Sequence, residues 1–518
     1  MRLVGILMIL DNLIGFAGGK KAYLCPLNRR CILALPLVGV LTGCAVGPNF
    51  RVPDAPPVAT YLPDTSLSGL PAGDRVPGAR VVPGGDIPER WWELLRSRHL
   101  NDLVERGIAH NMDLQAAEAA VRVAQANAAA QRGALFPVVT ANGNSSRQMV
   151  AGQLTSPLVS NADTFSLQTA QVSVSFAPDV FGGTRRAIEN ADALVELQAF
   201  QREGVYLTLT SNIALAAIQE ASLRGQIAAT RRLIGIQTEL LTILRRQYQS
   251  GQIGLPDVVA QETAVAQARL LLPPLERQLA QQRDLLAFLT GRFPSEEVAA
   301  TFRLGSFRLP RKLPLTVPAN LVRQRPDIRA AEANLRATNA LIGVAIANRL
   351  PQITLTANAG STATAVSQLF TPGTAFWAVA GNAAQTVFDA GTLANRQKAA
   401  EETFNQTTAQ YRSTVLVAFQ NVADTLRALQ ADARMVNAAI AAERSAAQNI
   451  ALVRQQVERG QVSIPVLLNA QQAYLQTSLA RIQAEASRLA DTVALFQSLG
   501  GGWWNRPAPL TSNSEEKL

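Results

Sequence analysis

The chain states most of its content twice, and that repetition limits its fold more than any other feature. Leu240–Gln261 reads LLTILRRQYQSGQIGLPDVVAQ, and Arg454–Gln472 returns to the same turn as RQQVERGQVSIPVLLNAQQ. Gly251 matches Gly460, Gln252 matches Gln461 and Pro256 matches Pro465, each 209 positions on. Asp113–Ala119 (DLQAAEA) matches Asp327–Ala333 (DIRAAEA) at an offset of 214, as Pro137–Thr140 does Pro351–Thr354. Val180–Gly183 aligns loosely with Val387–Gly391. Each copy reads helix, strand, loop, strand, long helix, tip, helix. Copies of roughly 200 residues are far longer than solenoid repeats, so the chain is a duplicated half.

The tips punctuate long helices. Gly251 and Gly460 suit a left-handed residue just past a helix end, and Pro256 and Pro465 the first turn of the next helix. Asp257 adds negative charge at that helix start in the first copy. The run over 184–249 keeps helical period for about 66 residues, roughly 100 Å at 1.5 Å per residue; its counterpart spans 393–459. The second run carries a seam of Phe404, Tyr411, Val415, Val422, Leu426, Leu429, Ala433, Val436 and Ile440. Its return carries Leu468, Leu475, Leu479, Ile482, Ala486, Leu489, Val493 and Phe496, the spacing of coiled coils. Pro273-Pro274 predicts a break in the first returning helix; the second copy has no prolines at that level.

After Pro137, Val139, Ala141 and Gly143 alternate with Thr140, Asn142 and Asn144; Ile353, Leu355, Ala357 and Ala359 do so more cleanly in the second copy. Return strands are expected near 165–176 and 376–388. Segments of about ten alternating residues with aromatic ends suit transmembrane β-barrel strands, although a soluble hairpin would read the same way.

The ends are distinct. Residues 1–43 contain a secretory signal: Arg29-Arg30, an apolar run from Cys31 too short to span a bilayer, then Leu41-Thr-Gly-Cys44. Residues 1–26 precede that signal and have no reading of their own; a misassigned start codon is the simplest expectation for them. The signal's end resembles a bacterial lipobox, which would make Cys44 the first mature residue and a lipid carrier; an ordinary signal peptide with a coincidental cysteine is the alternative. Ala45, in place of an aspartate that would resemble a retention signal, points to the outer membrane. Residues 44–90 read as a Pro- and Gly-rich tether, 91–290 as the first repeat opening at Trp91-Trp92, and 291–326 as an irregular connector. The second repeat covers 327–500, and 501–518 reads as a flexible tail. The formal charge is +10, but Arg2, Lys20, Lys21, Arg29 and Arg30 against Asp11 place four of those charges ahead of Cys44. No clustered basic face with stacking aromatics emerges, so nucleic acid is not expected as a partner. Cys25, Cys31 and Cys44 form no disulfide framework, and His99 and His110 no metal spacing. No nucleophile with a base and no phosphate loop emerges, so no enzyme, cofactor or metal is expected.

Four strands cannot close a barrel, and open sheet edges are not viable in lipid. Strands must therefore be pooled, eight from two chains or twelve from three. Twelve helical columns about 10 Å apart leave an interior of roughly 28 Å, and eight only about 15 Å; geometry favours the trimer. The Cys44-Ala-Val-Gly-Pro48 start, Trp91-Trp92, Arg325-Pro-Asp-Ile-Arg-Ala-Ala-Glu332 and the paired Gly…Pro tips together resemble the outer-membrane efflux proteins. The likeness is to the lipoprotein branch, the NodT-like or OprM-like factors related to TolC, and covers residues 40–505.

That resemblance implies an α-helical fold with a membrane β-barrel: a homotrimer with a 12-stranded barrel above a 12-helix periplasmic tunnel. It implies passive conduction of drugs or other small toxic compounds, powered by an inner-membrane RND-type pump through a periplasmic membrane-fusion adaptor. The shorter helices would stack end to end to complete each column. Gly251, Gln252, Ile253, Gly254, Leu255 and Pro256, with Gly460, Gln461, Val462, Ser463, Ile464 and Pro465, become adaptor-docking tips. Asp257 matches a position that helps hold the closed gate. The second tip departs from the TolC pattern at Val457, Val462 and Val466, where a tyrosine, an arginine and an acidic residue would stand. The expected gate therefore rests more on apolar contact and Asp257. A polypeptide-export duct, or a lipid-anchored periplasmic scaffold without a pore, remain alternatives at this level.

Overall fold

A computed structural model of the chain describes residues 45–58, 60–62, 80–151, 153, 162–296, 298–310 and 312–506. All belong to one unit that starts at Ala45. Cys44 and everything before it lie outside the described residues.

The duplication is visible in element lengths. In the first half α1 (Arg98–His110) and α2 (Met112–Gly133) lead into β2 (Val138–Met149) and β3 (Thr164–Phe176). Then come α3 (Gly183–Gln249), α4 (Leu255–Leu270) and α5 (Leu272–Leu289). In the second, α6 (Pro318–Gln324) and α7 (Pro326–Ala347) lead into β5 (Gln352–Ala363) and β6 (Ala375–Ala384), then α8 (Thr392–Glu458) and α9 (Ile464–Ser498). The two long helices are each 67 residues, about 100 Å by the helical rise. Both start under an upstream aspartate: Asp179 accepts from the Thr184 and Arg185 amides, and Asp389 from Gly391 and Leu393. Those amides hold the Asp389 carboxyl below the usual aspartate range, the Leu393 bond most of all.

Pro273-Pro274 acts as expected: α4 stops at Leu270 and α5 restarts with the prolines in its first turn, where their missing N–H is harmless. The matching α9 runs unbroken for 35 residues.

Contacts order the helices as columns. Near the strands the order is α2, α3, α7, α8; toward the tips it is α4 and α5, then α3, α9, α8. The short helices complete two columns by end-to-end stacking, and the same device closes both joints. Asn111 caps α2 by accepting from Leu114 N while its Nδ2 donates to Leu289 O, the end of α5 (3.2 Å). In the second half Arg325 precedes α7 and its Nη1 donates to Ser498 O, the end of α9 (2.7 Å). Gly291 and Gly500 follow these ends at φ +71° and +96°. A Cβ there would come within 2.3 Å of His110 O and 3.0 Å of Gln324 O respectively, so only glycine lets the helix ends approach.

Around these joints lies the main core, which includes Trp91 stacked on Phe496 at 5.4 Å and Trp92 beside it. Burying each indole contributes about 4 kcal/mol by area. Neither Nε1 has an acceptor among the described residues, which offsets part of that gain.

Three expectations change. The second return strand ends at Ala384, and Phe388 stands exposed in the turn before α8. The connector 291–326 is less irregular than it reads: β4 (Lys312–Leu315) pairs in parallel with β1 (Arg80–Pro83) of the tether. Most notably, 501–506 is a clasp rather than a free tail. Trp503 donates to Gln324 O, and Trp504 and Asn505 hold the Asp86 carboxylate. Arg506 pairs with Glu89 and Glu203 and lies 4.3 Å over the Tyr206 ring. Indole and guanidinium groups in a short apparent tail can find partners only in tertiary structure. Residues 507–518 lie outside the described residues.

Candidate functional site

Strands β2, β3, β5 and β6 form one antiparallel sheet in that order. Its register sorts side chains into rows that cross all four strands. Val139, Val174, Ala357 and Val379 make one row, and Ala141, Val172, Ala359 and Trp377 the next on that face. Between them, on the opposite face, runs Thr140, Ser173, Asn358 and Ala378. The central strands alternate cleanly, while β6 also places Phe376 on the polar side. The apolar face is bare, with Trp377 78% and Val379 72% exposed. Among the described residues, the outer edges of β2 and β6 pair with nothing. The helices repeat this pattern, since α2 with α4 and α5 forms one open flank and α8 the other. Leu416 and Val417 stand exposed on α8, as do Met112, Phe288 and Phe293 on the opposite flank.

At the far end of the columns both hairpins close with the same hydrogen bonds. Gln252 N reaches Gln247 O and Gly251 N reaches Tyr248 O; Gln461 N reaches Gln456 O and Gly460 N reaches Val457 O. This is the Schellman arrangement, with the glycines at φ +75° and +69°. Gly251, Gln252, Gly254, Leu255, Pro256, Gly460, Gln461, Ser463 and Pro465 are exposed. Ile253, Val462 and Ile464 are half-buried. Ile253 and Ile464 pack on Leu241, Leu244, Val258 and Val265, and Val462 on Val453 and Leu467. Ile464 starts α9 yet packs into the first hairpin's cluster, so the two tips lie side by side. Val259 and Val466 add exposed apolar surface; Val259, one turn past Leu255, is the tip residue that sequence reading missed. Asp257 is half-buried in the first turn of α4, with no cation at ion-pair distance among the described residues.

No group of His, Cys, Asp and Glu suited to a metal ion occurs among the described residues. His99 and His110 lie exposed on α1. No described helix is long and apolar enough to cross a membrane.

The family model for outer membrane efflux proteins matches residues 103–292 and 317–501, one block for each half. The chain belongs to the outer membrane efflux protein family. Pyoverdine export outer membrane protein OpmQ of Pseudomonas putida is 30% identical over 452 residues, covering 86% of this chain and 94% of that protein. Toluene efflux pump outer membrane protein TtgC of Pseudomonas putida is 27% identical over 478 residues, covering 92% and 96%. Among solved structures, the outer-membrane channel OprN superposes with a TM-score of 0.79 at 26% identity, covering 89% of this chain and all of that one. As a member of this family the chain is an outer membrane efflux channel and not an enzyme. The scaffold without a pore is thereby set aside.

The N-terminal tether belongs to this architecture too. Val46 N donates to Phe181 O, and the buried Arg186 guanidinium holds Val46 O, Gly47 O and Asn49 Oδ1. The first described residue therefore lies beside the turn between β3 and α3, where sheet gives way to helix. Tyr61 donates to Thr316 O farther along, so the tether is strapped to the helices rather than trailing. Cys44, the expected lipid carrier, lies just outside the described residues.

Proposed function

We propose that three copies close into a conduit: a 12-stranded barrel in the outer membrane continued by a 12-helix tunnel in the periplasm. The observation that carries this reading is the sheet's pair of bare faces, one apolar and one polar, between two unpaired edges. Lipid suits the apolar face and a watery lumen the polar one, and open edges must be paired to lie in lipid. The helical columns have matching open flanks, so one rotation seals sheet and columns together.

In this reading the chain passively conducts drugs or other small toxic compounds delivered by an RND-type inner-membrane pump and a periplasmic adaptor. The exposed tip residues, with Leu255, Val259 and Val466 beside them, offer the adaptor backbone groups and small apolar patches. Asp257, with no cation at ion-pair distance among the described residues, is placed to contact a neighbouring copy and hold the tips closed. Lipid on Cys44 would be attached directly ahead of Ala45, the first described residue of the strap. A single acyl chain binds membranes only marginally, so Cys44→Ala impairs targeting more than conduction; equal loss of conductance per inserted trimer would refute this.

Negative-stain electron microscopy of the detergent-purified protein tests the conduit. Threefold particles with an internal tunnel support it, and monomers or solid particles remove it.

A further inference from the structure

The seam joining α8 to α9 contains one residue that heptad spacing does not predict. Ala433 is expected at the seam; instead Asp432 turns inward, 5% exposed, and Ala433 is half-buried. The Asp432 Oδ2 is sealed from solvent, and no donor among the described residues reaches it. Across the seam, α9 brings Asp491 within hydrogen-bonding reach and supplies Arg488, 8% exposed, as the opposing cation. Two ionised carboxylates only accept hydrogen bonds, so a bond between them requires a proton.

Other charges at this level are exposed or engaged elsewhere. On α8, Arg427 and Arg434 are exposed, as are Arg303 and Arg308 on the loop that touches α9. Arg481 and Glu485 of α9 pair with each other, and Arg481 also with Glu443 of α8. On α3, which packs against α9, Glu220 is taken by Arg224 and Arg283. Burial pushes the Asp432 carboxyl up to about 7; the hydrogen bond to Asp491 and its charge add to the rise, and Arg488 opposes it. The first half has Leu223, Leu279 and Gln282 at the positions of Asp432, Arg488 and Asp491, so its hairpin carries no such cluster.

We propose that Asp432 and Asp491 share a proton that locks α8 to α9, and that losing it loosens the second hairpin but not the first. With the proton in place, one carboxylate faces one guanidinium. Without it, the buried cluster holds a net negative charge. The packed hairpin keeps its proton to higher pH than an opened one. Packing is therefore fully favoured below the ordinary aspartate value near 4 and loses ground up to about 7, by at most about tenfold per pH unit. The lock lies 26 residues before the end of α8, about 39 Å along the helix, so its release acts on the seam rather than at the tip, where Val453 packs with Leu467.

Hydrogen exchange of the full-length protein in detergent, corrected for intrinsic rates from pH 5 to 8, tests this. Peptides over 427–437 and 485–495 should lose protection by up to about tenfold per unit between pH 5 and 7 and level off above it. Peptides over 218–228 and 277–287 should hold. Asp432→Asn donates permanently to Asp491 and should flatten the profile; Asp491→Asn should do the same from the other side and serves if the first variant does not fold. A flat wild-type profile, equal slopes in wild type and variants, or a slope shared by the first hairpin overturns the proposal. These amides report on the hairpin whether or not the pore conducts, so failure of the conduit reading would be seen separately.

Discussion

The two joints where short helices meet occupy equivalent places and do the same work with different chemistry. In the first half a neutral Asn111 caps one helix and reaches the end of the other. In the second, Arg325 spans the gap with a charged donor and is itself braced by both oxygens of Asp327. The returning helices differ as well, since α4 and α5 are split at a proline pair while α9 is continuous. Duplication has thus preserved lengths and meeting points, which backbone geometry dictates, and released the side chains that satisfy them. A continuous α9 also keeps a long seam with α8 in register, and that seam is where the buried Asp432 and the half-buried Asp491 have been accommodated.

The sharpest way to break the comparison is to give the second half the first half's prolines. Ile482 and Gln483 stand where Pro273 and Pro274 do. Ile482 is buried against Gly225, so Ile482→Pro with Gln483→Pro loses packing as well as helix hydrogen bonds, in all more than about 5 kcal/mol. Limited proteolysis should then cut within α9. Pro273→Ala with Pro274→Ala should change stability by only about 1 kcal/mol, and similar damage from both pairs would show that the break is not specific to one half.

Next in size are the joints. Arg325→Ala leaves Ser498 O without its donor and takes two hydrogen bonds from Asp327, which keeps that of Ile328 N, and should cost about 3 kcal/mol in chemical denaturation. Asn111→Ala removes a cap and one hydrogen bond, about 1–2 kcal/mol. Equal losses would mean that charge contributes nothing at the second joint.

The smallest effect on stability is expected at the tips, where Asp257 and Val466 are equivalent. Asp257→Ala and Val466→Asp should each shift stability by less than about 0.5 kcal/mol. In planar bilayers Asp257→Ala should raise resting conductance and Val466→Asp should lower it. Unchanged conductance in Asp257→Ala would sink the gating role of that carboxylate.

Much of the fold is legible before any coordinates. Glycine and proline mark both tips because their backbone limits act locally, and the proline pair marks the helix break for the same reason. Alternation over 353–359 reveals a two-faced strand because its side-chain period is two. The exposed tip residues follow directly from that local logic. Val259 escaped notice because exposure depends on what packs nearby, and the inward turn of Ile464 depends on the neighbouring hairpin.

The sequence by itself determined the duplication, the long helices, the tips and the alternating strands, since each rests on propensity or period within a short stretch. Tertiary structure alone decided which strands are neighbours, how rows of side chains line up across four of them, and which helix ends meet. It also decided that Trp503–Arg506 clasps Asp86 and Glu89, that Lys312–Leu315 joins a strand more than two hundred residues away, and that Asp432 rather than Ala433 enters the seam. Those outcomes depend on partners distant in the chain, and a helix can rotate by a fraction of a turn to suit them without changing its sequence signature.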